Sequence, residues 1–247
     1  MKCLVVTAFL TAFVAGAVLL CPAPCRCYKE DGLDQTDCEN KNLTFMPGPF
    51  LQHIQVINLR ENQLTFLEGG MFDGLHILKV LDFWVNNIAS VSNGTFEGLF
   101  NLEILDLANN KLTFLKGGMF DGLHNLKTLD IYGNSIMSIS NGTFEGLFNL
   151  ESLDLAVNKL EFLKEGMFDG LHNLKVLHLQ WNIITFISSG TFKGLFSLET
   201  LYLQNNSLRT ITPGTLDHLL KLGQLDLSGN PIEYIYDVTI KSSTGFV

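Results

Sequence analysis

The sequence predicts a solenoid of the α/β type: a curved, horseshoe-like coil in which each turn adds one short strand to a parallel sheet on the concave side. Two observations predict it. Asn recurs at a spacing of 24 residues, and apolar residues keep the same offsets from each Asn. A fixed period of this length is typical of repeat proteins whose turns stack to bury a shared core. The eight positions are Asn62, Asn86, Asn110, Asn134, Asn158, Asn182, Asn206 and Asn230.

The strand of each turn is predicted from the apolar residues before the Asn. They stand eight, five and three positions ahead of it, as Leu102, Leu105 and Leu107 do before Asn110. Alternate side chains of a strand point to opposite faces, so these leucines point into the coil and their neighbours point outward. Apolar residues also follow the Asn at two and five positions. They begin a return segment on the convex side, which we expect to be mostly irregular or 3-10 in structure.

Two columns of identical residues are predicted to hold the turns together. Each Asn lies where the chain leaves the sheet, and its amide can bond backbone groups of adjacent turns that would otherwise be buried without partners. The other column comes from a Gly-x-Phe motif in the return segment, whose rings we expect to stack behind the sheet. Its members are Phe72, Phe96, Phe120, Phe144, Phe168 and Phe192.

A longer period of 48 residues alternates two kinds of turn. FLKGGMFDGLHNLK (114–127) alternates with SISNGTFEGLFNLE (138–151), and the charge after the first strand leucine alternates with them. We interpret these charges as a cross-strand ladder that fixes register rather than as a binding site, since exposed ion pairs stabilise only slightly. The alternating residues are Lys79, Glu103, Lys127, Glu151, Lys175 and Glu199.

The first 17 residues are predicted to be a secretory signal peptide. Lys2 precedes an uncharged apolar run, and Ala15-Gly16-Ala17 is a small-residue cleavage site, so the mature chain would begin near Val18. The alternative is an uncleaved membrane anchor, because the apolar run is long. Residues 18–50 are then expected to form a cysteine-rich cap at the start of the solenoid.

The cysteines agree with cleavage. Of the five, removal of the signal takes away Cys3 and leaves four within 18 residues. An even cluster of cysteines in a secreted chain predicts two disulfides. Three pairings are possible, and the one that joins Cys25 to Cys27 is sterically unfavourable. Zinc binding is the alternative, but the spacing is not that of a zinc site and no paired His accompanies it.

These motifs resemble a known family. The run CPAPCRCYKEDGLDQTDC (21–38) resembles the N-terminal cap of extracellular leucine-rich-repeat proteins. The L-x-x-L-x-L-x-x-N repeats over 51–235 are similar to those of the variable lymphocyte receptors of jawless vertebrates, with related patterns in Toll-like receptors and Slit-type proteins. The resemblance implies a leucine-rich-repeat solenoid with disulfides Cys21–Cys27 and Cys25–Cys38. It also implies that proteins or microbial glycans bind on the concave face.

The C-terminal end departs from the family. Such proteins usually close with a second cysteine-containing cap, and Asn230-Pro231 begins a candidate, but residues 236–247 contain no cysteine and no hydrophobic anchor. End turns of a solenoid need a cover. We expect the tail to fold over the last turn, with a homodimer through this end as the weaker alternative. The apolar tail residues are Val238, Ile240, Phe246 and Val247, and those to be covered are Leu222, Leu225, Leu227, Ile232 and Ile235.

Composition and residue clusters predict a protein that is not an enzyme and has no metal or cofactor. The net charge is −9 without a basic cluster, which argues against nucleic acid and anionic membranes as partners. His76, His124 and His172 recur on alternate turns, roughly 10 Å apart at the usual strand spacing, which is too far to share a metal. A column of aspartates follows the repeat, so repetition explains it better than catalysis does.

The outward side of the sheet is the predicted binding site. Its residues stand six, four and two positions before each Asn, and the position directly before the Asn lies at the rim. The column two positions before the Asn changes in type from turn to turn. Aromatic rings beside carboxylates and amides suit sugar rings or a protein surface. The alternative is a solvated sheet face with scattered aromatics. The predicted ligand-binding residues are Arg60, Asp82, Trp84, Asp106, Asp130, Tyr132, Asp154, His178, Gln180, Trp181, Tyr202 and Gln204.

Four sequons, at Asn42, Asn93, Asn141 and Asn205, predict glycosylation in a secreted chain. Two functions remain in competition. The first is a secreted immune-type recognition protein that binds microbial surface glycans or protein antigens. The second is an extracellular adhesion, matrix or signalling scaffold that binds one cognate self protein.

Overall fold

The computed structural model describes residues 21–235, and the predicted signal peptide and C-terminal tail lie outside them. Within this range the chain forms strands joined by turns. The strands are β1 (Arg26–Glu30), β2 (Leu33–Asp37), β3 (Val56–Asn58), β4 (Phe66–Leu67), β5 (Val80–Asp82), β6 (Ser90–Val91), β7 (Ile104–Asp106), β8 (Phe114–Leu115), β9 (Thr128–Asp130), β10 (Ser138–Ile139), β11 (Ser152–Asp154), β12 (Phe162–Leu163), β13 (Val176–His178), β14 (Phe186–Ile187), β15 (Thr200–Tyr202), β16 (Thr210–Ile211), β17 (Gln224–Asp226) and β18 (Tyr234–Ile235).

One sheet runs the length of the solenoid. Its order is β1-β2-β3-β5-β7-β9-β11-β13-β15-β17, which begins with the antiparallel hairpin β1–β2 and is parallel from β2 onward. The register advances by one repeat per strand, so that Asp106 pairs with Asp130 and Asp130 with Asp154. This confirms the predicted leucine-rich-repeat solenoid with its concave parallel sheet.

The Asn column performs the predicted role. The Nδ2 of Asn134 donates to the carbonyls of Leu107 and Ile131, and its Oδ1 accepts the backbone N–H of Leu112, at distances of 3.0 to 3.1 Å. The same bonds recur at Asn110 and Asn158. Each amide therefore joins neighbouring turns through groups that are sealed from water.

The Phe column forms the predicted spine. Five successive ring pairs from Phe72 to Phe192 stack with centroids 6.2 to 6.3 Å apart and interplanar angles of 4° to 17°. All six rings are almost fully buried. Phe83, on the strand side, meets Phe72 edge to face. The core is therefore continuous from turn to turn.

The return segments contain no helix anywhere in residues 21–235. They are successive turns closed by bonds from N–H to the carbonyl three residues earlier, as from Leu99 to Phe96 and from Leu102 to Leu99, which is the 3-10 type of bond. Short two-stranded parallel sheets, such as β8–β10, lie beside them. Gly122 has a φ of +91°, and a Cβ there would lie 3.3 Å from the carbonyl oxygen of Phe96, so neighbouring turns could not approach as closely with any other residue.

The two ends of the described chain differ in burial. At the N-terminal end, disulfides join Cys21 to Cys27 and Cys25 to Cys38, the pairing that the family resemblance implies. Cys38 is completely buried. At the other end, Leu222, Leu227 and Ile232 are only partly buried, and Ile235 is 44% exposed. No helix in 21–235 is long and apolar enough to cross a membrane.

Candidate ligand-binding face

Each of the five aspartates in the concave column has a backbone role. Asp106 accepts the N–H of Ala108 at 2.8 Å, Asp130 that of Tyr132 at 2.9 Å, and other aspartates of the column repeat the bond. This bond stabilises the bend at which the chain leaves the sheet. One carboxylate oxygen of each residue is occupied in this way.

The charged form of these carboxyl groups is disfavoured by their surroundings. Burial, together with the neighbouring Asp82 and Asp130, raises the pKa of Asp106 to about 6, although the bond from Ala108 acts in the opposite direction. Burial also raises the pKa of Asp130 and of Asp154. Stacked, half-buried carboxylates of like charge therefore form a strip that favours cationic or hydrogen-bond-donating ligands.

Arg60 neutralises the N-terminal end of this strip. Its Nε bonds Asp82 at 2.5 Å, and its guanidinium lies over the Trp84 ring at 5.7 Å from the centroid. Trp84 is half-buried. The three predicted residues thus form one cluster, with the arginine positioned by both partners.

The middle of the face is more closed than the sequence suggests. The small residues Ala108 and Ala156 predict open space beside Tyr132, but they are 2% and 0% exposed. The expected open space is absent because a small side chain in a sheet is covered by the larger side chains on the adjacent strands. Tyr132 remains 39% exposed, so the ring itself is accessible.

The C-terminal half holds a second cluster. The rings of His178 and Tyr202, which are register partners on β13 and β15, stack at 4.7 Å between centroids. Gln180 Nε2 lies 3.3 Å from His178 Nδ1. The Oε1 atoms of Gln180 and Gln204 are buried and have no hydrogen-bond partner within residues 21–235. These two oxygens are acceptors that a donor group of a ligand could satisfy.

Sequence reasoning missed the backbone of the rim beside this face. The residue directly before each ladder Asn has a positive φ in all eight turns. Gly or Asn, which tolerate this region, hold four of the positions, but Val85, Val157 and Trp181 adopt it at φ of 54° to 57°. They are 37%, 37% and 59% exposed. The repeated Gly and Asn at this position were the available signal.

The sequons lie apart from one another. Asn42, Asn93 and Asn141 are exposed, whereas Asn205 is half-buried on the rim. The hydroxyls of Thr95 and Thr143 are buried and donate to backbone carbonyls, and Thr191 does the same in a turn that has no sequon. The fold thus accounts for these threonines, and glycosylation stays a prediction.

The repeated histidines serve the backbone. Nδ1 of His76, His124 and His172 lies 3.0 to 3.1 Å from the carbonyl oxygen of Gly98, Gly146 and Gly194 respectively. Across residues 21–235 no three His, Cys, Asp or Glu side chains are grouped to hold a metal.

Comparison with known proteins identifies the repeat. The family model for leucine rich repeats matches residues 77–136, 124–184 and 172–232. The chain belongs to the leucine-rich repeat family. Leucine-rich repeat-containing G-protein coupled receptor 5 of Xenopus tropicalis is 32% identical over 89 residues, which are 36% of this chain and 10% of the receptor. Human leucine-rich repeat-containing protein 3 is 33% identical over 79 residues, 32% of this chain and 31% of that protein.

A solved structure agrees with this assignment. The TLR13–ssRNA13 complex contains a chain that superimposes with a TM-score of 0.72 at 34% identity, over 74% of this leucine-rich repeat protein and 26% of that chain. This protein therefore spans only a small part of the receptors it matches. Its disulfides are typical of proteins folded in an oxidising, extracellular or lumenal compartment.

Proposed function

We propose that the concave face of this leucine-rich repeat protein binds ligands outside the cell, as a secreted recognition protein for microbial surface glycans or protein antigens. The observation that carries the proposal is the contrast within one strand. Positions that face the core repeat the same residues, while the column two positions before each Asn holds six residue types at its eight positions. A signal peptide at 1–17, a cap at 18–50, repeats at 51–235 and a covering tail at 236–247 are parts of this proposal.

Acceptor chemistry dominates the proposed site. Half-buried carboxylates run along the face, and the oxygens of Gln180 and Gln204 have no donor among the described residues. Sugar hydroxyls and the amide or cationic side chains of a protein can supply donors to such groups. The exposed rings of Tyr132 and Trp181 offer apolar contact beside them.

Nucleic acid is a poor fit to the same face. The related TLR13 structure is a complex with single-stranded RNA. RNA binding relies on cationic groups that neutralise phosphates. In this chain a carboxylate column occupies the centre of the face, and Arg60 is already paired with Asp82. We therefore expect no RNA affinity at physiological salt.

The second candidate is an adhesion or signalling scaffold for one self protein. It is favoured by partial similarity to leucine-rich repeat-containing G-protein coupled receptor 5 and to amphoterin-induced protein 2 of Mus musculus, which is 32% identical over 101 residues. A scaffold of this kind would bind one vertebrate extracellular protein and ignore isolated wall glycans.

The two candidates separate in a binding experiment. Purified secreted protein is tested against intact bacteria, isolated cell-wall glycans and single-stranded RNA, together with W84A, Y132A and Y202A. We expect binding to bacteria or glycans that each variant weakens at unchanged thermal stability. Phe114→Ala is the matched control, since Phe114 is exposed on the convex strand β8. Equal binding by all variants would show that the ligand does not bind on the concave face. Binding of RNA would show that the hydrogen-bond acceptors of this face do not determine which ligands it selects.

A further inference from the structure

A second surface lies at the edge of the sheet where the strands begin, and we call it the amino-edge flank. It consists of an aromatic and a charged column that run across six turns and an amide column that runs across four. The aromatic column is His76, Phe100, His124, Phe148, His172 and Phe196; the amide column is Asn101, Asn125, Asn149 and Asn173; the charged column is Lys79, Glu103, Lys127, Glu151, Lys175 and Glu199.

The flank is ordered by contacts between turns. His124 stacks on Phe148 with ring centroids 6.0 Å apart, and the pairs that begin at His76 and His172 do the same. Each amide donates to a carbonyl of the preceding turn, as Asn149 Nδ2 does to His124 at 2.8 Å. Lys127 pairs with Glu103 at 2.6 Å. These contacts fix the spacing of every group on the surface.

The same groups are exposed. Phe100, Phe148 and Phe196 are 52%, 54% and 52% accessible, although each ring already contacts its histidine. The amide and charged columns line a shared groove of about 350 Å³. A row of exposed rings beside a groove is the kind of apolar patch that marks an interaction surface.

The alternation of residue types makes this flank complementary to itself. Consider a two-fold axis that lies in the surface and passes between the turns of Lys127 and Glu151, so that the order of turns is reversed in the second copy. Lys127 then faces Glu151, Glu103 faces Lys175, and Lys79 faces Glu199. His124 faces Phe148, Phe100 faces His172, and His76 faces Phe196. An axis through a single turn would instead set Lys against Lys and Glu against Glu.

We propose that the amino-edge flank is a homodimer interface between two copies of this chain, related by that two-fold axis. Isologous interfaces require a self-complementary surface, and opposite charges in register supply it here. The axis points from the convex to the concave side, so both copies keep their concave faces open and on the same side. Two open faces would allow bivalent attachment to a surface that carries many copies of a ligand.

The interface is expected to be weak. It is six turns long and three columns wide, which places it among specific interfaces below about 1,200 Å² in total. A mainly acidic column on the convex side, including Asp121 and Glu145, borders it and limits further contact. Association should therefore depend on concentration and fall as salt rises.

Charge reversal tests the proposed register. In Lys127→Glu, residues 127 and 151 are both acidic, and in Glu151→Lys both are basic, so each variant alone repels its own copy across the axis. We expect each to dimerise at least ~10-fold more weakly than the parent in sedimentation equilibrium. An equimolar mixture of the two should recover the dimer, because each contact then joins opposite charges. The double variant Lys127→Glu/Glu151→Lys should also dimerise.

The controls separate this interface from others. Lys159→Glu makes the same charge change at the opposite edge of the sheet and should leave the dimer unchanged. Phe148→Ala should weaken it at an unchanged melting temperature. A parent that stays monomeric up to ~100 µM overturns the proposal. A dimer that tolerates both single reversals also overturns it, and would indicate an interface at the C-terminal turn instead.

Discussion

The side chains behind the sheet and those in front of it follow different rules on the same strands. Behind the sheet, Phe120, Phe144 and Phe168 repeat one residue in one stacked geometry. In front, Trp84 lies under an arginine, while Tyr202 stacks on a histidine. Because the strands are parallel and in register, the side chains on both faces of the sheet repeat with the same spacing from turn to turn. The fold alone would therefore allow one residue type to recur on either face.

The difference indicates where stability resides and where the proposed recognition would take place. The rear columns bury apolar surface and satisfy backbone groups, and these requirements are identical in every turn. The front columns join some turns, through the Arg60–Asp82 ion pair and the His178–Tyr202 stack, but no single contact recurs in every turn. Some residues on this side lower the stability: the carboxylates with raised pKa values and, on the adjacent rim, the residues with side chains at positive φ. Four substitutions test this division, in order of expected effect on stability.

The largest effect is expected from Phe144→Ala, since the ring stacks on both neighbours and is completely buried. Its loss should reduce the free energy of unfolding by about 3–5 kcal/mol. Phe148→Ala, at an exposed ring four residues later, is the matched control and should leave the free energy of unfolding almost unchanged. Urea denaturation followed by circular dichroism measures both, and equal losses would contradict the division.

Asn134→Ala should be the next most damaging. It removes the amide that bonds Leu107, Ile131 and Leu112 and leaves buried backbone groups without partners. The expected cost is about 1–3 kcal/mol. Asn125→Ala removes two exposed bonds, one donated to the carbonyl of Phe100 and a long one accepted from Asn149, and should cost less. Equal denaturation midpoints for the two variants would contradict the expectation that the buried amides of the Asn column stabilise the fold more than the exposed ones do.

Asp106→Asn should stabilise the protein at pH 7.5. A carboxyl whose folded pKa is raised to about 6 is charged at that pH against the preference of the fold. The protonated carboxyl therefore contributes stability that is fully present below the ordinary pKa of an aspartate and is lost as the pH rises through 6. The parent should be more stable at pH 5 than at pH 7.5. Its free energy of unfolding should differ between the two pH values by on the order of 1–2 kcal/mol, a difference that the variant lacks. The amide oxygen of the variant would still accept the N–H of Ala108. The same pH dependence in both proteins would refute the assignment.

The smallest effect is expected at the rim. Val157→Asn places a residue that tolerates positive φ where valine is strained, and should add about 0.5–1 kcal/mol of stability. If the strained valine is retained for ligand contact, the variant should also bind less well. Thermal melts and a binding titration on the same samples decide this, and a more stable variant with full binding would separate the strain from recognition.

The rear of the sheet could be predicted from sequence because its rules are local and repeated. One period placed the strands, the Asn bonds and the Phe stack, and the cysteine spacing together with the family resemblance placed the cap. The front could be predicted only as a set of columns. Whether Ala108 leaves space depends on its neighbours across two strands, and the His178–Tyr202 stack depends on side-chain rotamers. The positive φ of Trp181 follows from a backbone bend that its own side chain does not favour.

The charge ladder has a consequence for how a chain of this kind can change length. The repeat is 24 residues, but the sign of the charge returns only after 48. Loss or gain of one turn by unequal recombination would set Lys beside Lys, or Glu beside Glu, on adjacent strands, and would turn a favourable neighbour contact into a repulsive one. Loss or gain of two turns leaves the alternation intact. The charge alternation therefore favours the gain or loss of turns in pairs. Related chains should differ from this one by even numbers of turns more often than by odd ones.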